Sequence, residues 1–500
     1  MSRSVGIDDI YVYVPATRLD LLGEEFIEAR RGKLSAEEFE GKLRHLGVQH
    51  AAVPDGGQTI ATVGATAVYR LMAQNDIQPE QIGRLYGATE SSYDNAKPFT
   101  TDVKGMLGQN LGSSRTNHWH TMEYKFACNA AGAAILDCAD WILADPSPGV
   151  SGREAIVVAV DHGKYPLGSA GEITGGFGGV AIRIKQDPRL LVLDPEVRGY
   201  SSRDAYDFWK PTKMAVRSPG GATSFESHAE MPLVDSQLSI DVYQDTMRDA
   251  ADAARTIARR KGIVGKNQPM KDVMRKAALH IPFPDMGRKG MARWFLHDIR
   301  GTAEGEEIEA EIGKEPLLES FSSVKAFDKA MSDHMKKLRQ VKPFRNYMDS
   351  VFEDSVVWSR STGNAYTASQ PIALASMFKQ AAIHGERLEG KYVGLGFYGS
   401  GAEAIVTIGK VAPGWRNVAW RMSIEDDRVR MLTMDEYSLL HRHSDQPMDP
   451  IVEPENEWML TGIDDMGRRT HKFIEKTDAS GALTLEVPQR IPTPLVRRVS

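Results

Sequence analysis

The sequence predicts an α/β chain made of two pseudo-repeated halves, and three observations predict it. The chain has 500 residues, 41% hydrophobic and 26% charged, which is longer than one compact core uses and apolar enough to bury a large one. Strand-like runs at 10–14, 84–88, 155–160 and 179–184 alternate with helical runs, the pattern of an α/β fold. One arrangement also occurs twice: a helical run of small residues, a buried strand, a glycine-rich loop and a second strand. The first copy is 128–143, 154–161, 174–179 and 180–184; the second is 367–383, 392–398, 399–401 and 404–408. Residue identity between the copies is low, so the repeat is one of pattern.

Taken in order, the chain opens on Met1-Ser-Arg-Ser-Val-Gly-Ile-Asp-Asp-Ile, with two acids where a secretory leader needs its apolar core, so no leader is expected. Residues 1–190 form the first half. The most apolar stretch in it, 130–144, is interrupted by Asp137 and Asp140 and falls short of the ~18–20 residues of a membrane helix. No membrane association is expected. Residues 191–410 form the second half, broken at about 288–342 by a charged, helix-like insertion. In it 301–307 reads as a loop, 331–338 as a basic helical face, and the whole as solvated. Residues 411–500 read as a polar extension, and Pro488, Pro492 and Pro494 predict an extended end.

Lys plus Arg is 61 against 67 for Asp plus Glu, a formal net charge of -6, without the basic surplus of a nucleic-acid binder. With two cysteines, Cys128 and Cys138, a disulfide framework and a four-cysteine zinc site are excluded, and a reducing, cytoplasmic setting is expected.

Cys128, in Lys125-Phe-Ala-Cys-Asn-Ala-Ala-Gly-Ala-Ala, lies where a strand end runs into a small-residue helix. Amides and dipole at a helix start favour a thiolate, so Cys128 is either a nucleophile or a small packed hydrophobe. Cys138, ten residues on, reads as core. Glu90, in the Thr-Glu-Ser after a buried strand, stands where α/β enzymes place chemistry. It is a base or a solvated surface acid. His280 ends a second short strand before Ile-Pro-Phe-Pro and is a site residue or a core histidine. Thr174-Gly-Gly-Phe-Gly-Gly leads into a strand and lacks the helix start that a dinucleotide phosphate needs. Walker A and G-x-S-x-G sequences do not occur. His118 with His120, and His441 with His443, lack further ligands at metal spacing, so no metal is expected.

Cysteine, carboxylate and histidine on a doubled α/β chain come with longer strings. They are Gly6-Ile-Asp-Asp-Ile-Tyr-Val-Tyr-Val-Pro, Thr89-Glu-Ser, Asp94-Asn-Ala-Lys-Pro, Lys125-Phe-Ala-Cys, Gly168-Ser-Ala-Gly-Glu, Tyr206-Asp-Phe-Trp-Lys-Pro and Val234-Asp-Ser-Gln-Leu-Ser-Ile. Beyond them come His280-Ile-Pro-Phe-Pro, Gly363-Asn-Ala-Tyr-Thr-Ala-Ser and Tyr398-Gly-Ser-Gly-Ala. In this order, over about 4–410 and more loosely to 471, the chain resembles the 3-hydroxy-3-methylglutaryl-CoA synthases of the thiolase superfamily. The resemblance implies a thiolase-like fold of layered αβαβα arrangement. It makes Cys128 the acetyl-carrying nucleophile, Glu90 the general acid/base and His280 the residue that holds and polarises the second substrate. Asn364, Gly399 and Ser400 match substrate-supporting positions, with the Ser400 and Cys128 amides as oxyanion donors. Tyr165, Thr174, Tyr206 and Tyr366 would line the pocket. The chain departs from the family at Asn129 and Gly132, where an aromatic and a threonine are usual. It departs again at Asp285, where a lysine is usual, which shifts the expected CoA phosphate contacts to Arg288 or Lys289.

The implied reaction joins acetyl-CoA, acetoacetyl-CoA and water into 3-hydroxy-3-methylglutaryl-CoA and CoA, in the mevalonate route to isoprenoid precursors. No cofactor is implied, since the CoA thioesters are substrates. A homodimer and a thiolase partner that supplies acetoacetyl-CoA are implied by analogy only. Three rivals stay open: a carrier-protein-dependent synthase of polyketide β-branching, a ketoacyl-synthase-III-like condensing enzyme and an inactive scaffold of the same fold. The Thr-Glu-Ser loop separates the synthases from the ketoacyl type, which needs Cys128, His280 and Asn364 but not Glu90.

Overall fold

Strands in the computed structural model begin almost as soon as the chain does; residues 3–144, 153–217, 223–227, 231–424 and 426–476 are described. Among these, nine strands share one sheet: β1 (Val5–Tyr13), β2 (Ile82–Ala88), β3 (His120–Tyr124), β4 (Glu154–His162), β5 (Phe177–Gln186), β6 (Leu191–Ser202), β7 (Met274–Leu279), β8 (Tyr392–Gly399) and β9 (Glu403–Val411). Their spatial order is β3-β2-β4-β5-β1-β6-β9-β8-β7. Outward from β1 the pairings are antiparallel, antiparallel and parallel. Outward from β6 the same series recurs. The two series meet at two residue pairs, Gly6 with Val192 and Ile7 with Leu191.

The helices that matter for the site are α1 (Ile60–Gln74), α2 (Phe99–Leu111), α3 (Ala130–Leu143), α4 (Ser236–Arg260), α5 (Pro284–Asp298), α6 (Ala303–Ile312), α7 (Val324–Leu338), α8 (Ser369–Ile383) and α9 (Met434–Arg442). α3 touches strands of both series, β2, β4 and β5 on one side and β6 and β8 on the other; α8 likewise touches β7 and β8 and also β1 and β5. α1 covers the outside of β1, β4 and β5, and α4 the outside of β6, β8 and β9. The layers are therefore helix, sheet, inner helices, sheet, helix. Gly132, Cys138 and the alanines of α3 other than the half-buried Ala133 are buried because the helix is covered from both sides, and small side chains let the two halves of the sheet approach one helix.

The predicted strands are present, but β1 starts five residues earlier than its apolar run. Asp8 and Asp9, which precede that run, are buried in it and paired, Asp8 with Arg189 at 2.6 Å and Asp9 with Arg421 at 2.6 Å. Burial of a charge is tolerated when it is paired. The insertion is also corrected. Most of 301–307 is the start of α6, capped by Thr302, whose hydroxyl accepts from the Gly305 amide at 3.1 Å. α5 is core, burying Met291, Trp294 and Phe295, while α6 and α7 are mostly exposed. Residues after 411 return to the first half, where Glu457 accepts from Tyr13 Oη at 2.6 Å and pairs with Arg70 at 3.1 Å and Arg428 at 3.0 Å. Pro488, Pro492 and Pro494 lie outside the described residues. Among the described residues no helix is long and apolar enough to cross a membrane.

Candidate active site

Between β3 and α3 the chain turns sharply, with Ala127 at φ 40°, a conformation that costs a non-glycine residue about 1–3 kcal/mol. Tyr366, just ahead of α8 in the other half, has the same φ of 40°. Packing from both halves holds the turn: Phe126 O accepts from the Asn129 amide at 2.9 Å and Ala127 O from Thr367 Oγ1 at 3.2 Å. Cys128 sits one residue before the Asn129 cap of α3 and is 7% exposed. Its thiol donates to Glu90 Oε2 at 3.4 Å. Glu90, two residues past β2, has its side chain 6% exposed and its Oε1 3.1 Å from Lys210 Nζ. Lys210 also donates to the Glu90 carbonyl at 3.3 Å.

Below this pair lies Asp161 of β4, fully buried, accepting from Thr89 Oγ1, the Glu90 amide and Ser91 Oγ at 2.8 Å each, and from the Thr367 amide at 2.9 Å. It ties the Glu90 loop to the start of α8. Burial, against the pull of Lys210, raises the Glu90 carboxyl above its usual range, and the Asp161 charge pushes the same way. Burial first, then the charges of Glu90 and Asp161, hold the Cys128 thiol well above its usual range. The sequence-level expectation that the helix start favours a standing thiolate is thus corrected: two carboxylates and a dry site outweigh it. Cys128 rests as a thiol with Glu90 as its acceptor.

The second half supplies the opposite wall. β7 is followed directly by His280, whose amide donates to Gly396 O at 2.7 Å and whose carbonyl accepts from Tyr243 Oη at 2.8 Å. Its ring stacks on Tyr398 at 6.4 Å and 22°. Nδ1 is buried without a hydrogen-bond partner among the described residues, and burial brings the imidazole down to about 3, so it is neutral. Gly399 allows the β8–β9 turn to reach Cys128: a Cβ there would lie 2.5 Å from Phe126 O and 2.9 Å from the Asn129 amide. Ser400 follows in that turn, which Asp207 pins by accepting from Tyr398 Oη at 3.0 Å and the Gly401 amide at 2.9 Å.

The glycine-rich loop has a structural use. The Asn364 amide donates to Thr174 O at 2.9 Å, and Gly363, at φ 69°, passes so close that a Cβ would lie 2.0 Å from Gly175 O. The Asn364 side-chain oxygen accepts from the Tyr366 amide at 2.9 Å and Ser369 Oγ at 3.0 Å, starting α8. Gly363→Ala should therefore destabilise the chain by about 3 kcal/mol or more, read as a lower denaturation midpoint. A midpoint equal to wild type would contradict this account.

Of the residues the sequence singled out, Cys128, Glu90, Tyr165, Tyr366, Asn364 and Thr174 come together, with Tyr165 edge-on to Tyr366 at 6.3 Å. Tyr206 does not join them. It is 70% exposed and packs edge-on against Trp209, while its neighbour Asp207 is buried and Lys210 reaches Glu90. Arg288 and Lys289 are already paired, Arg288 with Glu353 through two bonds of 2.7 Å and Lys289 with Asp285 at 3.1 Å. Asp285 itself is buried and also held by Arg339. Gly132 leaves room for Phe397, whose ring a Cβ would meet at 2.5 Å, and Asn129 turns to Glu403 at 2.8 Å. Sequence reasoning missed Asp161, Asp207 and Lys210; the last two sit in the Tyr-Asp-Phe-Trp-Lys-Pro string it quoted. Among the described residues Asp354, His384 and Glu386 stand close enough to hold a cation, and the ammonium of Lys276 is there, 2.6 Å from Asp354 and 2.5 Å from Glu386. A cavity of about 790 Å³ opens on Glu90 and Lys210 and is lined also by Lys97, Lys125 and Lys164.

Five layers with a cysteine at an inner helix start, facing a carboxylate from a neighbouring loop, define an acyl-transferring condensing enzyme of thiolase-like fold. Family models described as hydroxymethylglutaryl-coenzyme A synthase N terminal and C terminal match residues 1–188 and 191–473. The chain belongs to the hydroxymethylglutaryl-CoA synthase family. It is 32% identical over 478 residues to the hydroxymethylglutaryl-CoA synthase of Haloferax volcanii, covering 94% of this chain and 100% of that one. With the Enterococcus faecalis synthase it is 26% identical over 471 residues, 93% of this chain and 99% of that one. A solved structure of MvaS in complex with 3-hydroxy-3-methylglutaryl coenzyme A matches with a TM-score of 0.75 and 27% identity over 95% of this chain and all of that one. The curacin-pathway HMG synthase, at 18% identity and a TM-score of 0.69, shares the fold.

Proposed function

We propose that Cys128, Glu90 and His280 carry out, in that order, the steps by which this chain condenses acetyl-CoA with acetoacetyl-CoA and water into 3-hydroxy-3-methylglutaryl-CoA. The observation that carries this reading is the 3.4 Å approach of the Cys128 thiol to Glu90 Oε2, with both side chains largely buried. Cys128 Sγ attacks the acetyl thioester and CoA leaves as its thiol, an exchange of one thioester for another. Glu90 then stands beside the acetyl group and takes a methyl proton, and the enolate oxygen is held by backbone amides near Cys128 and Ser400. The enolate carbon adds to the ketone of acetoacetyl-CoA, whose oxygen, polarised by the neutral His280, takes up the equivalent of the proton that Glu90 removed and becomes the 3-hydroxyl. Water finally cleaves the bond to Cys128. The cavity lining mixes lysines (Lys97, Lys125, Lys164) with carboxylates (Asp94, Glu123, Asp445), and the lysines are the groups that could meet the phosphates of a CoA.

The same reading takes 1–190 and 191–410 as two halves with 411–500 as an extension, which the repeated pairing about β1 and β6 supports. It also includes a cytoplasmic homodimer. β3 is the outer strand of its half, with Met122 exposed, and a second copy would cover it.

The test is intact mass of the full chain after acetyl-CoA, followed by addition of acetoacetyl-CoA as the free CoA ester or on a carrier protein. Wild type should gain one acetyl group, then lose it as product with the CoA ester. His280→Ala should still acetylate but bind acetoacetyl-CoA far more weakly. Lost acetylation with unchanged acceptor binding would contradict the role given to His280, and turnover only with the carrier would transfer the chain to the β-branching class.

A further inference from the structure

Lys210 reaches the site from the second half, on an excursion between β6 and α4. The short strand Phe208–Trp209 pairs with Leu233–Val234, and Lys210 follows it directly. Its ammonium lies 3.1 Å from Glu90 Oε1 and 4.6 Å from the centroid of the Tyr366 ring, with the side chain 20% exposed. The two oxygens of Glu90 therefore differ: Oε1 faces a fixed cation, and Oε2 faces Cys128. Glu90 is faced by Asp161 from β4, by Cys128 ahead of α3, by Lys210 from the excursion, and by Tyr165 and Tyr366 from two loops; His162 faces Lys210 from the end of β4. Of these groups Lys210 is the cation. Asp161 repels a second negative charge, and burial disfavours any charge.

Building on the function proposed above, we propose that Lys210 is a positioning residue for Glu90, holding the carboxylate charged and anchoring Oε1 so that Oε2 is left to take a proton from the acetyl group on Cys128. A cation placed here lets a base survive in a dry site beside another carboxylate. It also joins the geometry of the base to the excursion, so movement of residues 206–212 would change the charge state of Glu90.

The experiment uses full-length chain carrying ¹³C-labelled glutamate, with the Glu90 carboxyl signal assigned by its loss in Glu90→Gln. Lys210→Met should move the Glu90 titration upward by about one to three pH units, and Lys210→Arg should leave it near wild type. With acetyl-CoA alone, Lys210→Met should still be acetylated on Cys128. Exchange of the acetyl methyl hydrogens with solvent deuterium should fall about tenfold to a hundredfold, with the acid limb of condensation at higher pH and recovery in Lys210→Arg. Lys210→Gln serves as a second uncharged variant should Met disturb folding. An unchanged Glu90 titration overturns the proposal. Normal methyl exchange with only a raised KM for acetyl-CoA also overturns it and makes Lys210 a substrate-binding cation. Wild type that takes no acetyl group would sink the role of Cys128, while the titration would still decide for or against Lys210.

Discussion

Cys128→Ala should take up no acetyl group from acetyl-CoA and form no product, while its denaturation midpoint stays close to wild type. The loss is complete because the reaction runs through a covalent bond to Sγ, and neither Glu90 nor Lys210 offers a nucleophile able to replace it. Folding should survive because the turn is held by backbone and by Thr367, not by the thiol. Removing one buried sulfur opens little space beside Glu90. Peptide mapping of the acetylated wild type gives the second half of the result. The label should fall on Cys128 and not on Cys138, which is buried in the core cluster of the inner helix and raised well above the usual thiol range by burial. An acetylated Cys128→Ala chain, or a label on Cys138, would end the assignment.

What the sequence made legible follows from which signals are local. The repeat of helix, strand, glycine loop and strand was readable because buried strands and small-residue helices have their own periodicity, and the structure carries it through as two series about β1 and β6. Glu90, Cys128 and His280 could be singled out locally, each at the end of a strand or the start of a helix, but that left a bland reading open for each, and only the resemblance carried by the longer strings implied their roles. The start of β1 was not, because Asp8 and Asp9 interrupt the apolar run that marks a buried strand, and only the fold brings Arg189 and Arg421 to them from far along the chain. Lys210 and Asp207 were hidden for the same reason. A lysine in a polar excursion reads as solvated surface, and only the fold reveals that it meets Glu90, 120 residues away. Tyr206 failed in the opposite way: it shares the string with Asp207 and Lys210, yet it lies on the surface against Trp209.

Glu90→Gln should split the reaction into a step that continues and a step that collapses. Thioester exchange passes one thiol proton from Cys128 to the leaving CoA, and Glu90→Gln removes one of the charges that hold the Cys128 thiol up while its amide oxygen can still accept from that thiol, so acetylation should slow only modestly. Carbon-carbon bond formation needs a proton from a methyl group, a far weaker acid, and an amide cannot take it. Condensation should fall about a hundredfold to ten-thousandfold. The pH dependence gives an independent sign. Burial first, and the Asp161 charge after it, raise the Glu90 carboxyl above its usual range, so wild type needs a higher pH than an ordinary carboxylate to hold the base ionised. Its condensation rate should rise with pH through that raised value and lose activity below it, whereas Glu90→Gln should lack this limb. The same raised value means that the folded chain binds the Glu90 proton more tightly than the unfolded chain does, so ionisation at neutral pH works against folding. Glu90→Gln removes that penalty and should not lower the denaturation midpoint at neutral pH, which separates lost chemistry from lost structure. Rates of acetylation and condensation measured separately on one preparation decide the matter: near-normal condensation would deny Glu90 the proton transfer and favour a Cys128, His280 and Asn364 condensing enzyme instead.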